Sequence, residues 1–269
     1  MTSNAQNGAT RPSLSIRGIR NRVYGMIFGI EGQAIDTEEI HYQKWLQVAD
    51  ETKIISNESD FRKLWRKKFI GIGDKGIFDY LHDHYAPFKE EYPLWAECQQ
   101  VIDEIYKDKI KTMAKIPAGM RKAIEAADAL GIPYVFVTHA KPPLAEEQFT
   151  FIKSETGISF KLEDVVFDQK KDKEAYSFGL KLLDAKLKAA GKPPLQAKDI
   201  VVFDNKEEYL LQAEKLGFNA AKMVPELEEH LRPQGVQRFE SISWADIHSA
   251  VAASSPKPVG ERSNFNPYI

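Results

Sequence analysis

The chain has 269 residues, 43% hydrophobic and 28% charged, with 37 basic against 39 acidic residues and a formal net charge of -2. That length is enough for one large α/β domain or for a core with a smaller inserted one, and the composition excludes a disordered chain. The near-neutral balance gives nucleic acid or an anionic membrane no electrostatic purchase as a partner, no run of about 18 apolar residues is present to span a bilayer, and the single cysteine, Cys98, excludes an intrachain disulfide or a multi-cysteine metal site.

Residues 1–20 are rich in Ser, Asn, Gly and Thr without hydrophobic periodicity and are expected to form a mobile tail. Arg11, Arg17, Arg20 and Arg22, with no acid among them, have the makeup of a mitochondrial transit peptide. A core strand follows them directly, however, so the expected location is cytoplasmic, with a mitochondrial one the lesser alternative.

That strand, "VYGMIF" (23–28), runs into the glycine turn "GIEGQAIDT" and a helix start. About a hundred residues then separate it from the next strand, far more than a βαβ crossover requires. They carry helical patterns: "EEIHYQKWLQVADE", "ESDFRKLWRKKFIG", "DKGIFDYLHDHY", and an amphipathic stretch leading from Tyr92 and Trp95 into "VIDEIYKDKIKTM". An inserted helical domain over 38–114 is predicted. Trp45, Trp65 and Trp95 recur through it as core, Cys98 reads as packing, and His41 faces either a ligand or Trp45, four residues on. His82 and His84 are spaced for different helix faces, wrong for one metal, and read as surface. "GIGDKG" (71–76) lacks both a preceding strand and the GK[ST] ending of a phosphate loop, so it is an inter-helix loop.

The helix "AGMRKAIEAADALG" (118–131) returns the chain to strands "IPYVFVT" (132–138), "EDVVFD" (163–168), "DIVVFD" (199–204) and "NAAKMV" (219–224). Each is almost continuously apolar, as strands buried on both faces of a parallel sheet must be, and helical segments alternate with them. The fold class is therefore α/β, a doubly wound parallel sheet with an inserted α-helical cap: core 21–37 and 115–250, cap 38–114, and a second mobile tail over 251–269. In such sheets ligands sit at the carboxyl ends of the strands. That singles out Gly29 to Gln33, Thr138 to Ala140, the segment from Asp168, and Asp204 with Asn205.

Four segments carry a family likeness. "FGIEGQAIDTEEIHYQKW" is similar to a motif of the type "FDFDGTLIDTE" followed by a helix with a His and a Trp, with Phe28, Gly32, Ile35, Asp36, Thr37, His41 and Trp45 on matching places. "IPAGMRKAIEAADALGIPYVFVTHA" looks like a "PGV…L…GI…VTN" stretch, "KKDKEAY" like "KPAPDIY", and "VVFDNKEEYLLQAEKLG" like "VFEDSPAGVEAAKAAG". In order and spacing, from about Val23 to Val224, the chain resembles the haloacid dehalogenase (HAD) superfamily in its β-phosphoglucomutase-like branch, with a Rossmannoid core and a helical cap.

The resemblance implies phosphoryl transfer through an aspartyl-phosphate, with magnesium screening the anions, a second Asp as general acid/base, the motif-two hydroxyl at Thr138, the motif-three lysine at Lys170, and the acidic pair of motif four at Asp204 and Asn205. Here the attacking position is Gly29, which has no side chain. The acid/base position is Glu31, longer by a methylene, roughly 1.5 Å, a displacement worth about a hundredfold in rate if uncompensated. Gln33 stands where Thr is usual, and Asn205 removes a charge from the metal site, so a magnesium site of Glu31, Asp204 and Asn205 is expected to be weak or absent.

The expected function is that of a HAD-like protein that has lost covalent phosphoryl transfer, a pseudoenzyme or repurposed member. Its expected ligand is a small anionic or phosphorylated molecule held between core and cap by Gly32, Gln33, Thr138, Ala140 and Lys170, with a protein partner as a further possibility. The alternative is an enzyme using acid/base chemistry without a covalent intermediate (elimination, isomerisation, cyclisation or hydrolysis), with Glu31 or His139 moving the proton and Thr138 and Lys170 orienting the substrate. Residual sugar-phosphate phosphatase or mutase activity through Glu31 is the third reading.

Overall fold

The computed structural model of the protein describes residues 12–19, 21–69, 72–167, 174–224 and 238–254. The chain divides into two compact units, one made of Met1–Gly29, Pro117–Val137 and Asp164–Ile269, the other of Ile30–Ile116 and Thr138–Glu163.

The first unit is built on a six-stranded sheet, β1 (Gly25–Gly29), β2 (Tyr134–Thr138), β3 (Val165–Phe167), β4 (Ile200–Asp204), β5 (Asn219–Met223) and β6 (Ser241–Ile242), in the order β3-β2-β1-β4-β5-β6. The strands run parallel, so the central β1 sets Phe28 beside Phe136 of β2 and Phe203 of β4. Side chains alternate across a strand, which sends neighbouring residues of each of these strands to opposite faces. On one face Phe28 stacks on Phe203 with ring centroids 4.9 Å apart and on Trp244 at 4.8 Å. Trp244 opens α10 (Trp244–Ala253), which packs along α6 (Met120–Leu130). On the other face Ile27, Val135 and Val202 meet α8 (Ala175–Ala189) and α9 (Glu207–Lys215) through Tyr176, Leu183 and Ala213. Gly179 of α8 is the close-approach point: a Cβ there would lie 2.9 Å from Ile27 Cδ1. Helices thus cover both faces, which is why the strands are apolar throughout.

Within the stretch read as an N-terminal tail, Leu14 and Ile16 are buried, and Leu14 exchanges backbone hydrogen bonds with Val23 at 2.7 and 3.0 Å. Two apolar side chains among polar neighbours give too little periodicity to read. At the other end, α10 continues to Ala253 with Val251 buried, and a capping box of Ser243 and Asp246 starts it.

The second unit is helical: α1 (Glu38–Glu51), α2 (Glu58–Leu64), a π-helical turn over Trp65–Phe69, α3 (Asp74–His84), α4 (Ala86–Glu91), α5 (Trp95–Met113) and α7 (Pro142–Thr156). Its core gathers Trp45, Phe61, Trp65, Phe69, Phe78, Leu81, Phe88, Cys98 and Ile102, with Trp95 packed against it. Trp45 and Trp65 are core and Trp95 packs against it, in keeping with the expectation that the tryptophans serve packing. His82 stacks on Phe78 and His84 on Tyr80 at the helix surface. The segments entering and leaving the run of α1 to α5 are tied by a pair of backbone bonds between Asp36 and Lys115, at 2.8 and 3.1 Å. α7 belongs to this unit because it packs on α5, which also packs on α1.

Candidate functional site

The site begins where β1 ends. Gly29 is the last residue of the strand and pairs with Val137. The chain then turns tightly: the amides of Ala34 and Ile35 both donate to Ile30 O, and Gly32 N donates to Ile35 O at 2.8 Å. Gly32 sits at φ +78°, a left-handed conformation that costs a residue with a Cβ about 1–2 kcal/mol, so glycine fits the position on backbone grounds. Gln33 and Thr37 are buried within this turn.

Glu31, half-buried, projects from the turn to Thr138, the final residue of β2. Thr138 Oγ1 donates to Glu31 Oε1 at 2.7 Å and accepts from Ala140 N at 2.9 Å. The threonine hydroxyl is fully buried, so its geometry is fixed by these two bonds. The same carboxylate oxygen accepts from Gln148 Nε2 at 3.2 Å, and Gln148 Nε2 also donates to Tyr106 Oη at 2.9 Å. Burial pushes the Tyr106 hydroxyl well above its ordinary value, the bonds from Gln148 and Thr37 pull it down, and the Glu31 carboxylate raises it further, so this phenol stays protonated at any physiological pH.

Of the residues expected from sequence, the structure joins Glu31, Thr138 and Ala140 directly. His139 is half-buried beside Thr138. Lys170 lies outside the described residues. In the sheet-bearing unit, Asp204 is buried at the end of β4 and accepts from Lys206 N at 3.1 Å, and Asn205 is exposed next to it. Burial first, and then the Asp204 carboxylate, drives the Tyr176 hydroxyl far above its ordinary value.

Gln148 and Tyr106 were not anticipated. The signal lay in α7, whose buried stripe of Ala145, Phe149, Ile152 and Thr156 includes Gln148 at a position where an apolar side chain would be ordinary. Tyr106 lies likewise on the buried face of α5, among Ile102, Ile105 and Ile110. A polar group on an apolar stripe needs a partner, and these two partner each other.

A second polar cluster holds the helical unit. Lys44, only 1% exposed, meets Asp74 Oδ2 at 2.6 Å, while Trp45 Nε1 donates to Asp74 Oδ1 at 2.8 Å. His41 Nδ1 lies 3.9 Å from Asp74 Oδ1, and its ring centroid is 5.5 Å from that of Tyr106. Burial by itself would raise the Asp74 carboxyl, but Lys44 and His41 outweigh it and hold the group well below the usual carboxylate range.

The donor set does not fit a magnesium centre of the kind the resemblance implies. Position 29 offers no carboxylate, Glu31 Oε1 already takes two hydrogen bonds, and Asn205 brings a neutral amide where an acid is expected. Among the described residues no group of three or more His, Cys, Asp or Glu is placed to hold a metal ion, and no helix is long and apolar enough to cross a membrane.

No family model and no curated protein matches the sequence. Solved structures do. A protein from Thermotoga maritima assigned as a β-phosphoglucomutase superposes with a TM-score of 0.61 at 17% identity, covering 86% of this chain and 99% of that one. A HAD hydrolase of family IA, variant 3, from Entamoeba histolytica gives 0.60 at 14% identity, with coverage of 86% and 100%. CbbY from Rhodobacter sphaeroides, solved in complex with phosphate, gives 0.58 at 16% identity, with coverage of 84% and 99%. At these identities the likeness is one of fold, and the chain has the HAD-like, β-phosphoglucomutase-like fold.

Proposed function

We propose that this protein is a HAD-fold member that has lost aspartyl-phosphate phosphoryl transfer and binds a small phosphorylated or anionic molecule at the Glu31, Thr138 and Gln148 cluster. The observation that carries the reading is Gly29 at the end of β1: the residue in line for attack is bare backbone, and nucleophilic catalysis needs a carboxylate oxygen there. The binding half of the reading is supported by the buried donors of Thr138 and Gln148, which face a negatively charged oxygen, and by CbbY, a protein of the same fold that holds phosphate. Magnesium would contribute little, because the carboxylates that hold it are reduced in number.

The test is a turnover assay on a panel of sugar phosphates, with and without magnesium, run beside a thermal-shift screen of the same compounds. Stabilisation without phosphate release is expected. Burst release of phosphate sinks the loss of phosphoryl transfer.

A second reading is favoured by one feature. Glu31 is held by two buried donors on one oxygen, as an oriented acid/base group would be, which suits elimination, isomerisation, cyclisation or hydrolysis without a covalent intermediate, with His139 as the other proton-transfer group. Any activity found in the panel should then fall by about a hundredfold or more in Glu31→Gln. An unchanged rate rules that role out.

A further inference from the structure

We infer that Thr138 and Gln148 form an oxyanion-binding donor pair whose resident ligand is the protein's own Glu31 carboxylate, so that inorganic phosphate or a phosphate monoester binds there by displacing Glu31. This deepens the proposed binding function and rests on it for the nature of the ligand.

Three observations lead to it. Both donors are buried, Thr138 at 0% and Gln148 at 1% exposure, and each is braced from behind, Thr138 by Ala140 N and Gln148 by Tyr106. Their hydrogens are therefore preorganised for an acceptor and do not depend on Glu31 for their position. The two donors converge on a single oxygen, Oε1, at 2.7 and 3.2 Å, which is how a tetrahedral oxyanion is received as readily as a carboxylate.

The third observation is the orientation of the Gln148 amide. Its Oε1 is buried and, among the described residues, has no hydrogen-bond partner. Reversing the amide would set that oxygen 3.2 Å from Glu31 Oε1, where the two would repel. The amide leaves its own oxygen unsatisfied and keeps its N–H groups on the anion and on Tyr106, an arrangement that suits a negative charge at this point.

Glu31 is on a solvent-reaching turn and half-buried, whereas its two donors are sealed. The extra methylene of a glutamate gives Glu31 the reach to fill the donor site and the freedom to leave it.

Calorimetric titration of the full-length chain with inorganic phosphate tests this. Glu31→Ala is expected to bind phosphate about 10- to 100-fold more tightly than the wild type, the worth of one or two charge-assisted hydrogen bonds. Glu31→Gln, isosteric and safe for folding, is expected to shift in the same direction by a smaller factor, because a neutral amide is the weaker competitor. Adding Gln148→Leu to Glu31→Ala should remove most of the gain. Phosphate affinity unchanged within about twofold in both position-31 variants overturns the inference, as does a gain that survives both Gln148→Leu and Thr138→Val. Turnover of a sugar phosphate by the wild type is a separate outcome: it refutes the proposed loss of catalysis, while the phosphate titrations still decide the role of Glu31.

Discussion

Glu31 and Thr138, 107 positions apart in the chain, are joined by a hydrogen bond of 2.7 Å from the threonine hydroxyl to the carboxylate. The bond ties the turn after β1 to the end of β2. Thr138→Val keeps the shape of the side chain, removes this donor, and strips Ala140 N of its acceptor. It is expected to destabilise the protein by about 1.5–3 kcal/mol, the range for a hydrogen bond to a charged group. Thr138→Ser should recover most of that, and urea unfolding of the three proteins measures it.

Lys44 and Asp74 predict a pH dependence. The Asp74 carboxyl is held below its unfolded value, so the stability it contributes is fully present above the unfolded pKa of about 3.9 and is lost as pH falls through that value toward the folded one. Asp74→Asn leaves the Lys44 ammonium buried without its counter-charge, which costs about 3 kcal/mol at neutral pH, toward the low end for a broken buried pair because Asp74 is partly exposed. The gap between wild type and Asp74→Asn should narrow as pH falls below about 4. Denaturant melts over that fall in pH would show it, and a gap that widened toward acid would contradict the assignment.

Cys98 is buried in the helical unit, where desolvation first and the Asp74 carboxylate second push its thiol up to about 12. A thiol so placed presents almost no thiolate at neutral pH. Labelling of the native protein with a disulfide reagent at pH 8 is expected to be slower than that of the unfolded chain by a factor of about a hundred or more. In guanidinium one thiol per chain should react at once.

Trp244 supplies a test of the sheet-bearing unit. It is 2% exposed and stacks on Phe28 in the central strand, with α10 resting on α6 behind it. Trp244→Ala should cost about 3–5 kcal/mol, the range for emptying a large aromatic from a core. Loss of a measurable unfolding transition at room temperature would place the cost above that range, and a change below about 1 kcal/mol would show that α10 does not anchor the sheet.

The residues themselves determined the strands. Apolar runs at 23–28, 132–138, 199–204 and 219–224 had to be buried on both faces, and helical patterns between them forced parallel crossovers, so the α/β sheet and the inserted helices were legible before any coordinate. The places of Gly29, Glu31 and Thr138 at or just after strand ends were legible too, because a strand's carboxyl end is a place in the sequence as much as in space. The sixth strand, two residues long, and the burial of Leu14 and Ile16 were not, since so short a segment carries no period and its partner is chosen by the sheet edge.

What only the tertiary structure decided is whom Glu31 meets. Its partners come from positions 138 and 148, and behind them stands Tyr106 from another helix. Hydrogen bonds between residues more than a hundred positions apart depend on how helices and strand ends pack, and packing is a property of the assembled chain. The sequence could show that position 29, at the end of β1, carries no side chain. It took the fold to show that the acid two residues later is already engaged by buried donors.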